Sequence, residues 1–283
     1  AAKIKRLNRN AQVKILTKSK DVSYAGCGLP YYISGMIPTR DQLIVNTPEK
    51  FSGLTGAEVV TGVEAVGLDA KQKTLSVRGE DGAVYQEGYD KLVIATGASP
   101  VVPKLDGCDL PGVFTMRIPD DAQGVKDYIK EHSCRTALVV GCGFIGLEVG
   151  ENLQKLGLNV TMIDFADQIL PGIFDSEMAE YAKRQLTASG SKILLGTALS
   201  KVEKTAEGFS VTTTNGHLNT DLVVLCIGVR PNTGFLADTG LVLFKGTIVV
   251  NEKMETNLPD VYAAGDCAMV KDQLTRAAQW SPM

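Results

Sequence analysis

The stretch Ala137-Leu138-Val139-Val140-Gly141-Cys142-Gly143-Phe144-Ile145-Gly146-Leu147-Glu148 limits what this chain can fold into more than any other feature. It is a GxGxxG run set between a buried strand pattern and the start of a helix. Gly141 permits a tight turn out of the strand, Gly143 lets a pyrophosphate approach the backbone, and Gly146 lets the helix lie close on the strand. Phe144 and Ile145 open the helix, whose first N–H groups lack intrahelical partners and face the anion. The next strand covers 158–163 and ends in Asp164, the offset at which an acid binds a ribose 2′-hydroxyl. Phe165 and Ala166 follow, with no Arg to meet a 2′-phosphate, so the pattern favours NADH over NADPH.

The elements around this motif predict an α/β fold. From Thr136 the pattern reads strand 136–140, helix to about Leu156, strand 158–163 and an amphipathic helix near 177–189. Strands follow near 192–195, 199–204, 209–214 and 222–227. Strands alternating with helices indicate a parallel, doubly wound sheet. Earlier in the chain, 12–17 reads as a strand after an opening helix, a short helix follows Pro30, and Leu92-Val93-Ile94-Ala95 is a buried strand. Pro100, Pro103 and Pro111 mark a connector. Strands near 247–250 and 261–264 return to sequence like that of the first region. The expected organisation is two Rossmann-like, three-layer nucleotide-binding domains, one inserted in the other: 1–117 and 247–283 form the first, and 118–246 the inserted one.

Composition narrows the function classes. A net charge of −3 gives no basic footprint for nucleic acid or an anionic membrane. Apolar runs such as Leu222 to Val229 fall well short of the roughly 18 residues of a transmembrane helix. No N-terminal segment has a signal-peptide layout, so a cytoplasmic enzyme is expected. The six cysteines, at 27, 108, 134, 142, 226 and 267, include no close pair. That spacing fits neither a disulfide framework nor a CxxC zinc site, and no metal is expected.

Two further strand-and-turn segments read as a second nucleotide site. Leu92-Val93-Ile94 runs through Ala95-Thr96-Gly97, and Val261-Tyr262-Ala263-Ala264 runs into Gly265-Asp266. A third, Ile227-Gly228-Val229-Arg230-Pro231-Asn232, is a strand end with a Gly turn. Ahead of them stands Ser23-Tyr24-Ala25-Gly26-Cys27-Gly28-Leu29-Pro30-Tyr31-Tyr32. There Cys27 occupies a glycine-flanked turn before a short helix, whose N-terminus favours a thiolate. A cysteine in a loop is more often structural; here its surroundings reverse that reading.

Together these motifs resemble the pyridine nucleotide–disulfide oxidoreductase family, in its single-cysteine branch. That branch includes coenzyme A–disulfide reductases, NADH-dependent persulfide reductases, NADH oxidases and NADH peroxidases. The resemblance implies FAD beside Ala95, Thr96, Gly97, Gly265 and Asp266. It implies NADH at Gly141, Gly143, Phe144, Ile145, Gly146, Asp164 and Gly228. It also implies Cys27 as the redox-active thiol, cycling through a mixed disulfide, persulfide or sulfenic acid. Tyr32 stands where the two-cysteine branch has its second cysteine. The Leu-Pro-Tyr-Tyr run after Cys27 is more similar to the coenzyme A and persulfide reductases than to the oxidases. Lys3, Lys5, Arg6 and Ser23 are then the substrate-side residues, and coenzyme A is the candidate partner. Gly26 departs from the Asn usual before this cysteine, and Thr17-Lys18 stands where an acid often ends the second FAD strand.

The activity implied is an FAD-dependent NADH oxidoreductase acting on a disulfide or persulfide. The alternatives are an oxidase or peroxidase using a cysteine sulfenic acid, and a thiol-independent ferredoxin- or rubredoxin-type reductase. The family opens with a FAD GxGxxG and closes with a dimerisation domain; neither is recognised in this chain, and a homodimer is the implied state of the full-length protein. Cys142 and Cys226 read as inert, and Cys267, which follows Asp266, as a neighbour of the flavin side.

Overall fold

The computed structural model describes residues 1–280 and 282. Among them six α-helices follow in order: α1 (Ala2–Leu7), α2 (Leu29–Ile33), α3 (Pro48–Thr55), α4 (Pro119–Glu131), α5 (Phe144–Lys155) and α6 (Ser176–Ala188). The chain forms two compact units. One comprises Ala1–Tyr24, Ile44–Ser99 and Val229–Met283; the other comprises Ala25–Leu43 and Pro100–Gly228.

The second unit is built on a five-stranded parallel sheet, in the order Val113–Thr115, Leu222–Leu225, Thr136–Val140, Asn159–Ile163, Lys192–Leu194. Two of its three inner strands, Leu222–Leu225 and Thr136–Val140, are buried along nearly their whole length, as strands covered on both faces must be. Ala137 and Val139 face a cluster shared with Val125 of α4, Val149 and Leu153 of α5 and Ala179 of α6. Leu138 and Val140 face a different cluster, with Cys108, Val202, Phe209 and Val211. The doubly wound expectation is corrected here. One face carries helices, whereas the other carries an antiparallel three-stranded sheet of Leu199–Thr205, Gly208–Thr213 and Gly216–Thr220.

The first unit holds two parallel strand pairs, Lys14–Leu16 with Glu58–Val60, and Leu92–Ile94 with Val261–Ala263. The second pair joins segments far apart in sequence, with Ile94 opposite Ala263. The same unit contains an antiparallel sheet of Glu64–Asp69, Thr74–Arg78 and Val84–Gly88. Leu236, Leu241, Ile248, Val250 and Val261 form this unit's main core.

The unit boundaries differ from those drawn on sequence. The proline-marked connector belongs to the second unit, because Leu105, Cys108 and Leu110 pack into its core. Residues beyond Gly228 belong to the first, because Leu236 and Leu241 are buried there. The Cys27 segment lies with the second unit, because Leu29, Tyr32 and Ile33 are buried in the same cluster as residues of α4 and α5.

Asp260 staples segments of the first unit. Its carboxylate meets Lys73 at 2.6 Å and Lys91 at 2.9 Å. These two ammonium groups hold its carboxyl down at about 2, from an ordinary 3.8. A depressed carboxyl stabilises the fold above its unfolded value, and that contribution is lost as pH falls from near 4 to about 2. Asp260→Asn keeps a residue tolerant of the left-handed backbone at this position, where φ is 60°. The variant should unfold at lower urea than the parent at pH 7, and the two midpoints should converge by pH 2.

Candidate functional site

The glycine-rich turn has the geometry its sequence requires. Gly141 has φ +107°, and a Cβ there would strike the Cys226 carbonyl; a Cβ on Gly146 would strike the Gly141 carbonyl. Gly143 has nothing within 4 Å of where a side chain would start. Space for a ligand therefore opens at the middle glycine alone, while the outer two are filled by the protein's own backbone. Phe144 and Ile145 are exposed on the first turn of α5, at 55% and 39%.

Asp164 ends its strand as expected, but its carboxylate is buried and already engaged. Oδ2 accepts the Cys142 N–H at 2.6 Å, and Oδ1 accepts the Ala166 N–H at 2.9 Å. The acid thus also shapes the Gly-rich turn. Each carboxylate oxygen keeps lone-pair capacity for a hydroxyl donor. Phe165 beside it is 79% exposed, and Gly228 is exposed with φ +103°.

In the first unit the two small-residue turns come together. The strands before them pair in parallel, and the Ala264 N–H donates to the Ile94 carbonyl at 3.0 Å. Ala95-Thr96-Gly97 and Gly265-Asp266 therefore leave the same end of one strand pair. Asn232 fixes the first turn, a role the sequence reading missed. Its N–H donates to the Gly97 carbonyl at 2.9 Å and its Nδ2 to the Thr96 carbonyl at 3.0 Å. It accepts from Thr96 Oγ1 on its carbonyl and from Ser99 Oγ on Oδ1, both at 2.7 Å. The Trp280 indole donates to the Asp266 carbonyl at 2.8 Å. Cys267 is fully buried, with its thiol against the Ile94 and Ala264 carbonyls, so it acts in holding the two turns.

Cys27 is exposed, in a 3-10 turn (Gly26–Gly28) directly before α2. The other five cysteines are buried or half-buried. Burial, with the charge of Asp164 added, pushes the Cys142 thiol up to about 12; burial and Cys142 do the same to Cys226. Burial lifts Cys134 to about 11. These three stay protonated and are poor nucleophiles. Tyr32 is buried, and its hydroxyl donates to Gln123.

The substrate-side basic residues divide. Lys3 and Arg6 are exposed on α1, and Ser23 lies half-buried on a short strand paired with Ile44–Asn46. Lys5 instead turns back on its own chain, donating to the carbonyls of Arg9 at 2.9 Å and Ala11 at 3.0 Å. Among the described residues no group of His, Cys, Asp or Glu could hold a metal ion, and no helix is long and apolar enough to cross a membrane.

One unit holds a strand-turn-helix with its acid in register, and the other holds two small-residue turns at the same end of one strand pair. Residues 1–281 match the family described as pyridine nucleotide-disulphide oxidoreductase, and the chain belongs to that family. It is 35% identical over 282 residues to a Methanocaldococcus jannaschii protein named NADH oxidase, covering 100% of this chain and 63% of that one. Reduced Bacillus anthracis CoADR-RHD superposes with a TM-score of 0.95 at 34% identity, covering 100% of this chain and 51% of that one. A NAD-dependent persulfide reductase from A. fulgidus gives 0.94 at 31% identity, with 100% and 53% covered. The chain thus spans less than two thirds of these relatives.

Proposed function

We propose that this chain carries the nucleotide-binding and thiol-bearing part of an FAD-dependent NADH oxidoreductase that reduces a disulfide or persulfide through Cys27. The observation that carries this reading is the exposure of Cys27 alone among six cysteines, in a glycine-flanked turn, within a chain of this family. The names of the M. jannaschii, B. anthracis and A. fulgidus relatives support the nicotinamide and sulfur chemistry.

In this reading Gly141, Gly143, Gly146 and Asp164 hold NADH, with Phe144, Ile145 and Gly228 around it. Ala95, Thr96, Gly97, Gly265 and Asp266 hold FAD. The space in front of Gly143 and the rigid turn latched by Asn232 fit those groups. Bound flavin supplies two-electron transfer between nicotinamide and sulfur. The Cys27 sulfur attacks one sulfur of the substrate disulfide RSSR, forming a Cys27–S–S–R bond and releasing RS⁻. The full balance is NADH plus H⁺ plus RSSR giving NAD⁺ and two RSH. Lys3 and Arg6 are free to meet an anionic substrate such as coenzyme A disulfide; Lys5 is not.

The test is anaerobic NADH consumption by the complete protein with coenzyme A disulfide or polysulfide, against oxygen or peroxide. Two thiols released per NADH from the disulfide support the reading, and consumption with oxygen or peroxide alone moves it to the sulfenic-acid enzymes. With Asp164 buried at the strand end and no basic side chain at 165 or 166, NADH should exceed NADPH in kcat/KM by about tenfold or more, about 1.4 kcal/mol. Steady-state kinetics with both nucleotides check it.

A further inference from the structure

Helix α2 has five residues, too few for helix propagation to hold it in place. Its position is set by what it packs on. Leu29, Tyr32 and Ile33 are buried with Ala122 and Val125 of α4 and Val149 and Leu153 of α5. Apolar packing of this kind is non-directional, and shape-conserving adjustments within it are tolerated.

Two polar contacts supply direction. The Tyr32 hydroxyl donates to Gln123 on α4. On α5, Asn152 Oδ1 lies 2.7 Å from Ser34 Oγ, and Asn152 Nδ2 donates to the Glu148 carbonyl at 2.8 Å. Asn152 is 0% exposed. It shares the buried face of α5 with Gly146, Val149 and Leu153, where the helical pattern calls for an apolar residue. A buried amide persists at such a position only when its groups are paired, and its carbonyl is paired to Ser34. On the other side of α2, a Cβ on Gly28 would come within 3.0 Å of Ile37 Cδ1 and Leu43 Cδ2, so the residue after Cys27 is seated closely.

We infer that Asn152, acting through Ser34, is a positioning residue for Cys27: the hydrogen bond fixes the register of α2 on α5 and with it the direction in which the thiol is presented. The inference rests on the reading of Cys27 as the reacting thiol. It also ties the helix that begins at the Gly-rich turn to the segment that carries the sulfur.

The experiment uses the complete, cofactor-loaded protein and three variants. Ser34→Ala with Asn152→Leu makes both sides apolar, which leaves folding nearly unchanged because no buried group is orphaned. Ser34→Ala alone deletes one half-buried hydroxyl and keeps the test decisive should the leucine disturb packing. Ser34→Thr retains the hydroxyl. Alkylation of Cys27 by iodoacetamide, read by peptide mass, should quicken about fivefold in both alanine variants, because a loosened turn offers more approach geometries, and stay within about twofold of the parent in Ser34→Thr. Coenzyme A disulfide turnover should fall about tenfold in kcat with KM for NADH unchanged. Parental alkylation rates and kcat in the alanine variants would overturn the inference, leaving the contact as packing. Disulfide reduction surviving in Cys27→Ser would instead remove the catalytic reading while leaving the alkylation result standing, so the two failures are distinguishable.

Discussion

Cys27→Ser in the complete, flavin-loaded protein is expected to lower NADH-dependent disulfide or polysulfide reduction by about 10³-fold or more, while NADH still binds with its parental affinity. The separation follows from where the groups stand. Cys27 is exposed in a turn ahead of α2, whereas the Gly-rich turn and Asp164 form a hydrogen-bonded set that does not include it. A serine hydroxyl cannot form the mixed disulfide and is close in size to the thiol, so the fold should be unaffected. The other five cysteines are buried or half-buried. Cys134, Cys142 and Cys226 are held protonated by burial, at about 11, 12 and 12. The measurement is stopped-flow with NADH, followed by thiol release from coenzyme A disulfide. Undiminished thiol release would remove Cys27 from the chemistry and favour a thiol-independent electron-transfer reductase.

What the sequence made legible and what it concealed have physical causes. The Gly-rich turn was readable because its glycines answer to local backbone geometry, and the acid follows at a fixed offset. The parallel sheet around it was readable from strands alternating with helices. The antiparallel sheet on its other face was not, because alternation in a strand such as Gly208–Thr213 is the same whichever way its partner runs. The Asn215-Gly216 pair was the available hairpin signal. Lys5 was grouped with Lys3 and Arg6 on a basic helix; only the short length of α1 leaves the Arg9 and Ala11 carbonyls within reach of its ammonium. Asn152 went unread in the sequence, and its partner Ser34 lies 118 positions away, with no periodicity to link them. Asn232 was recognised as part of a motif, yet its bonds to Thr96, Gly97 and Ser99 appear only once the two segments meet.

Gly143 and Gly146 stand three residues apart in one motif, and substitution should affect them in opposite ways. A methyl on Gly146 would drive into the Gly141 carbonyl, a backbone group that cannot rotate away, so Gly146→Ala should destabilise the protein by about 2 kcal/mol or more. Gly143 has an extended backbone, with φ −78° and ψ −178°, and open space in front of it. Gly143→Val should therefore fold with a thermal midpoint close to the parent's. The branched side chain would fill the space through which a pyrophosphate reaches the first N–H groups of α5. NADH affinity should fall by about 100-fold, about 2.7 kcal/mol, with flavin content unchanged. Calorimetry and NADH fluorescence titration on the two variants check both halves. A stable Gly143→Val protein that binds NADH at full strength would mean that the open space is not the nucleotide's, and the Gly-rich turn would then be a feature of the fold alone.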